Sequence, residues 1–172
     1  SNHRDITLDS ALCNHAIDSI GLETTYNAIG DNLVNVNWMG DLLRLNKSFV
    51  ISRSGESKKE IYSNLSKASK FIKEKLESGS HVWIAQKQGR SKDGLDKTDP
   101  AVLKMLHIAL RKEMPFEQMA SKYNIVPCSI SYEIDPLAKE KSQQLNEARS
   151  KQGNEDISHI FKGVMLNNCL LY

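Results

Sequence analysis

The chain has 172 residues, with 23 Lys and Arg against 21 Asp and Glu for a net charge of +2. That balance lacks the concentrated basic face of a dedicated nucleic-acid binder, so no nucleic-acid partner is expected. Hydrophobic residues at 40% and charged residues at 26% describe an ordinary globular chain, of a length that suits one domain, and no apolar run approaches the ~20 residues that span a bilayer.

In chain order, a polar start, Ser1-Asn2-His3-Arg4-Asp5, leads into a helix over 8–20. Leu8, Leu12, Ala16 and Ile20 step along one face of it, and Gly21 ends it. Residues 24–29 are short and β-tolerant, and Gly30-Asp31-Asn32 signals a turn. A short helix follows over 37–45, with Trp38, Leu42 and Leu45 as its apolar side, and then a strand at Phe49-Val50-Ile51. The spacing predicts a long helix over 57–78. Ser57 and Glu60 form its capping box, Ile61, Leu65, Ala68, Ile72 and Leu76 make its stripe, and Gly79 is its stop. The lysines around the stripe read as a solvated face.

Val82-Trp83-Ile84-Ala85 is a continuous apolar run suited to a buried strand. After a polar loop over 86–97, Asp99 and Pro100 start a helix that closes at Arg111-Lys112. Pro115 starts a short helix to about Lys122, Ile125 to Tyr132 reads as a strand, and Asp135-Pro136 opens a charged helix to about Lys151. Leu137, Ala138, Leu145 and Ala148 are all that this last helix has to bury. Strands alternating with helices predict an α/β domain, a mainly parallel or mixed sheet with helices on both faces.

Three features carry chemistry. Asn2-His3 precedes a helix, with Asp5 and Asp9 close enough to orient an imidazole as a general base. Ser52-Arg53 and the loop Lys87-Gln88-Gly89-Arg90-Ser91-Lys92 follow apolar strands, where α/β sheets bind ligands. Gly89 permits close backbone approach, and the arginines suit a phosphate. A polar surface loop would account for the same residues. Cys13, Cys128 and Cys169 are odd in number and widely spaced, which is neither a disulfide framework nor a zinc pattern, so they read as reduced thiols in a cytoplasmic setting.

Taken in order, Asn2-His3 with Asp9, Lys47 to Arg53, Gln88-Gly89-Arg90-Ser91 and Ile125 to Ile130 resemble the four sequence blocks of the glycerolipid acyltransferases. These are the glycerol-3-phosphate and 1-acylglycerol-3-phosphate acyltransferases, and the resemblance covers about residues 1–135. The Val126-Pro127 block is a close match. The Lys47 to Arg53 block is a fair match, although Lys47 stands where the family often has glycine. The first and third depart: the family spacing from His3 falls on Leu8, with Asp9 one residue late and Asp5 three early, and Gln88 stands where the family has glutamate. His3-Arg4-Asp5 also looks like a protein-kinase catalytic loop, but neither the Gly-rich loop nor the Asp-Phe-Gly that such an enzyme needs is present.

The resemblance implies a glycerol-3-phosphate acyltransferase-like fold and an O-acyltransferase of the phospholipid-synthesis type. It would move a fatty acyl group from acyl-CoA or an acyl carrier protein to a phosphate-bearing glycerolipid acceptor, in the cytoplasm and peripherally at the inner membrane face. On this reading His3 is the base, with Asp9 or Asp5 as its partner. Arg53, Gln88, Gly89, Arg90 and Lys92 hold the substrate phosphate, and no cofactor or metal is required. Two rival readings are a non-catalytic homologue that binds phospholipid or acyl carrier, and a small helical interaction protein. The chain starts without Met and reads as a single acyltransferase-like domain over 1–172, a fragment lacking an N-terminal segment. With only two residues ahead of His3 to fix it, little activity is expected of this piece.

Overall fold

The computed structural model describes residues 1–146, except for Thr7, Asn35, Val36, Lys92, Asp93 and Pro136. Lys92, Ala148, His159 and Cys169 therefore lie outside the described residues, as do the side chains of Trp38, Leu42 and Leu145.

Tyr26–Gly30 (β1) is the central strand of a parallel sheet, flanked by Ser48–Ile51 (β2) and Val82–Trp83 (β3). Parallel neighbours need a crossover rather than a hairpin. Asn37–Leu45 (α2) lies between β1 and β2, and Lys58–Glu77 (α3) between β2 and β3.

The capping residues give α3 its limits. Ser57 Oγ accepts from Glu60 N at 3.2 Å, and the Glu60 carboxylate accepts from Glu56 N at 2.9 Å. At the other end Gly79 adopts φ +85°, while Ser80 N donates to Lys75 O and Gly79 N to Leu76 O. Those paired bonds satisfy carbonyls that the last helical turn leaves open.

Strand side chains alternate between the two faces of the sheet. One face, with Ala28, Phe49, Ile51, Val82 and Ile84, meets Ala68 and Ile72 of α3. Beyond them lie Met105 and Leu106 of α4 (Pro100–His107), Leu110, and Met119 and Tyr123 of α5 (Phe116–Tyr123). Asp99 caps α4 by accepting from Ala101 N at 2.8 Å.

The other face is polar where α1 (Leu8–Ser19) docks. Asn14 donates to Asn27 Oδ1 at 3.3 Å, and Thr25 donates to Asn14 Oδ1 through both its N and its Oγ1 at 2.8 Å. The expected apolar face of α1 is thus not the buried one. Ala16 and Ile20 are exposed, and Asp9 and Asn14 are the buried residues. A four-residue step located the helix but not the side that hydrogen bonding draws inward.

Two strand expectations also change. β3 stops at Trp83, and Ile84 to Gln86 bond instead to Ser1: Ser1 N donates to Ile84 O at 2.9 Å and Gln86 N to Ser1 O at 2.7 Å. That two-bond pattern is the one parallel strands use. Residues 125–132 form no strand. Ile125 and Val126 are exposed, Pro127 has no N–H to offer, and the run from Cys128 to Ile130 is held largely by the Asn2 side chain.

The helix expected up to Arg111-Lys112 ends at His107 and continues as turns. The charged helix expected from Asp135-Pro136 to about Lys151 is α6, Ala138–Asn146, and residues 147–151 lie outside the described residues. Leu45, expected on the apolar side of α2, is 85% exposed.

Leu110 is fully buried, so Leu110→Ala should cost about 2–5 kcal/mol through the cavity it leaves. Leu45→Ala should change stability by less than about 0.5 kcal/mol. Urea unfolding of both variants checks this, and similar losses in the two would contradict the core assignment.

Candidate active site

The site begins with how a short polar segment is held. Ser1 is tied to the run after β3 as described. Asn2 is buried; its N donates to Cys128 O, its Nδ2 to Ile130 O at 2.9 Å, and its Oδ1 accepts from Ile130 N at 2.8 Å. The side-chain amide thus does for Ile130 what a neighbouring strand's backbone would do. His3 O accepts from Ser91 N at 2.7 Å. Arg4 is fixed by its guanidinium bond to Asp96 at 2.6 Å and by its carbonyl, which accepts from the buried Lys141 Nζ. The expectation that two preceding residues cannot fix His3 therefore fails. The ties run sideways, to residues 84–91 and 128–130, rather than back along the chain.

These ties set His3 Nδ1 at 3.0 Å from Asp9 Oδ2. Asp9 is fully buried, and the same oxygen accepts from Arg4 N at 2.7 Å and Asp5 N at 3.1 Å. Its Oδ1 accepts from Tyr132 Oη at 2.8 Å. Burial works to raise the Asp9 pKa, but the bonds from His3, Tyr132, Arg4 N and Asp5 N outweigh it and hold the carboxyl below its ordinary value. An ionised carboxylate only accepts, so Nδ1 carries the proton and Nε2 the lone pair of a neutral imidazole. Tyr132 remains a donor, because burial and the Asp9 carboxylate push its hydroxyl far above the ordinary value. Between the two candidate aspartates the geometry chooses Asp9. Asp5 accepts from Leu8 N at 2.9 Å and caps α1.

Beyond the carboxyl ends of the strands lies a cavity of about 320 Å³, lined by His3, Arg53, Gln88, Gly89 and Arg90 among others. Four segments distant in sequence meet there because parallel strands emerge at one edge of the sheet. Lys87 joins them, and Ile29, Ile51 and Ile84 supply apolar wall. Arg53 Nη1 donates to Gln88 Oε1 at 3.3 Å, and Gly89 turns the loop with φ +72°. Arg90 is buried. Trp83, expected as core, is buried but also lines this cavity, edge-on to His3 at 6.4 Å between ring centroids.

Some of what holds the site went unread in the sequence. Asp31, taken as a turn residue, accepts from Ser52 Oγ at 3.0 Å and Ser54 Oγ at 2.7 Å, and from Arg53 N and Ser54 N at 3.3 Å, all through Oδ2. Its position just after β1, at the ligand-binding end of the strand, was the available signal. Tyr132, Asp96 and Lys141 gave none, since each acts across a long loop closure.

Elsewhere, Lys47 Nζ turns to Glu23 at 2.8 Å, so it adds no charge to the cavity. His15 and His81 are exposed, and His107 Nε2 lies 2.9 Å from Met114 O, which leaves none of them at the site. The Cys13 and Cys128 thiols are free, with 3.9 Å between sulfurs. Among the described residues no cluster of His, Cys, Asp and Glu could hold a metal, and no helix is long and apolar enough to cross a membrane.

Comparisons with known protein families, curated proteins and solved structures return no match for this chain.

Asp9 binds protons less readily folded than unfolded, so its charge adds stability above the ordinary carboxylate range, about pH 4. That contribution is lost as pH falls through the depressed folded value. In Asp9→Asn, the urea midpoint at neutral pH should drop, and its decline from about pH 5 to about pH 2 should be shallower than in the parent. Parallel acid limbs in the two proteins would show that the Asp9 charge contributes nothing.

Proposed function

We propose that the chain is an O-acyltransferase of the glycerolipid type, with a glycerol-3-phosphate acyltransferase-like fold. The observation that carries the reading is the position of the His3–Asp9 pair on a cavity also lined by Arg53, Gln88, Gly89 and Arg90. A lone oriented imidazole would suit many reactions. One that shares a small cavity with two arginines suits a hydroxyl whose own molecule carries a phosphate.

In the reaction, Arg53 and Arg90 hold the acceptor phosphate and so fix the hydroxyl near His3. His3 Nε2 takes the hydroxyl proton as the oxygen bonds to the thioester carbonyl carbon. Asp9 stabilises the imidazolium that forms. The carbon–sulfur bond then breaks, and the leaving thiolate takes the proton back from His3. The donor is acyl-CoA or an acyl carrier protein, and the acceptor a glycerol phosphate or a lysophospholipid. The setting is cytoplasmic, at the inner membrane face.

With His3 held by its neighbours, the reason for expecting an inert chain falls away. The 172-residue protein should transfer a radiolabelled acyl group from a thioester to glycerol 3-phosphate or to lysophosphatidic acid. His3→Ala should lower kcat at least about a hundredfold. Absence of transfer from either donor class, or unchanged turnover in His3→Ala, would overturn the proposal. Phosphate-ligand binding without transfer would leave the non-catalytic homologue as the reading.

A further inference from the structure

The Asp31 carboxylate is engaged in an unusual way for a residue on a ligand cavity. It lines the cavity, yet all the donors bonded to it come from one short run of chain, Ser52-Arg53-Ser54. Two hydroxyls and two backbone N–H groups converge on its Oδ2. Burial alone would raise its pKa, but the bonds from Ser54, Ser52 and the two N–H groups keep the carboxyl below its ordinary value. The carboxylate therefore stays charged and acceptor-only at neutral pH.

What those bonds fix is the exit from β2. β2 ends at Ile51, so the chain is free to turn in any direction after its last ladder bond. Asp31 follows β1 directly, and β1 and β2 are in register with Gly30 beside Ile51. The two strand ends therefore emerge side by side. A carboxylate at the end of one can capture the first three residues beyond the other. Arg53 is the middle residue of the captured run, and its side chain lines the same cavity.

We infer that Asp31 is a positioning residue for anion recognition: by gripping Ser52, Arg53 N and Ser54 it aims the Arg53 guanidinium at the phosphate monoester of the acceptor. This rests on the phosphate-site reading above and adds a residue that the sequence blocks do not contain. Asp31 itself repels an anion. Its replacement should therefore strengthen phosphate binding if charge alone mattered, and weaken it if position mattered. A guanidinium makes its paired bonds to phosphate only from a fixed approach, so position should dominate.

Calorimetric binding of glycerol 3-phosphate to the full chain tests this, with lysophosphatidic acid in detergent as the second probe and glycerol as the phosphate-free control. Asp31→Ala should weaken both phosphate probes about tenfold. Asp31→Asn, which keeps an acceptor oxygen, should retain most of the affinity. Arg53→Ala should weaken binding as well, and the double variant Asp31→Ala, Arg53→Ala should bind no more weakly than Arg53→Ala alone, because one residue acts through the other.

Additive losses, or full affinity in Asp31→Ala, would overturn the positioning role. Full affinity in Arg53→Ala would instead overturn the phosphate-site reading beneath it. Loss confined to lysophosphatidic acid would assign the site to a lipid headgroup, and loss for both probes to the phosphate monoester itself. If Asp31→Ala does not fold, Ser52→Ala with Ser54→Ala removes two of the four donors and leaves the carboxylate in place. Unchanged phosphate affinity in that pair would equally overturn the inference.

Discussion

A buried carboxylate with four donors is the constraint on which the architecture around His3 turns. Asp9 cannot stay charged in the interior unless those donors converge on it, since an unpaired buried charge costs several kcal/mol. Three come from consecutive residues just ahead of it, the His3 ring and the backbone N–H groups of Arg4 and Asp5, and the fourth from far along the chain, the hydroxyl of Tyr132. Satisfying Asp9 therefore requires the first residues to wrap the start of α1 and the run after Pro127 to return beside them. The imidazole orientation follows from this demand. The same bonds that keep the charge stable place the Nδ1 proton and leave Nε2 as the basic nitrogen.

Asp31, which lines the cavity, repeats the device. It too takes four hydrogen bonds, and it too binds backbone N–H groups rather than a cation. Both carboxylates lie close to a helix or strand end, where N–H groups lack ladder partners. In each case the acid organises loop backbone beside a basic residue, His3 or Arg53, that lines the cavity. Among the described residues the parallel sheet has three strands, with β3 two residues long, and gives its loops little support. The carboxylates supply fixed points that a longer ladder would otherwise provide.

What the sequence disclosed and what it hid divide along the range of the interactions. The capping box at Ser57 and Glu60, the stop at Gly79 and the start at Asp99-Pro100 are local, and each lies where the spacing put it. The strand at 48–51 was legible because an apolar run between turn signals has few other uses, whereas residues 24–29 read only as β-tolerant although Tyr26–Gly30 is the central strand. The run at 125–132 has strand composition, yet it forms no ladder. Whether a run pairs depends on a neighbour that composition does not name. The buried side of α1 was hidden for a related reason. Asn14, Thr25 and Asn27 satisfy one another inside the fold, and a polar residue with distant partners looks, in one dimension, like a surface residue. Of the site, the basic residues were legible by type and His3 was paired with Asp9 or Asp5, whereas the other donors to Asp9 and all those to Asp31 were not legible.

On the proposed acyltransferase reading, Gln88 in the place of that family's glutamate gains a physical meaning from the same geometry. Its Oε1 accepts from Arg53 Nη1, which a carboxylate in that place would also do. A carboxylate, however, would pair with the guanidinium and cancel much of its charge, and an incoming phosphate would have to compete with it. The amide keeps the orienting hydrogen bond and leaves the charge uncompensated. Among the described residues the Arg53 guanidinium joins no ion pair. The nearby Asp31 carboxylate is occupied by hydroxyl and backbone donors. Lys87 and Arg90 line the same cavity as Arg53 and Asp31. Attraction between unit charges about 4 Å apart rises from ~1 kcal/mol in water to ~4 kcal/mol near a protein surface. On the proposed reading, a neutral orienting partner for Arg53 would therefore strengthen the pull on a dianionic phosphate without loosening the arginine's aim.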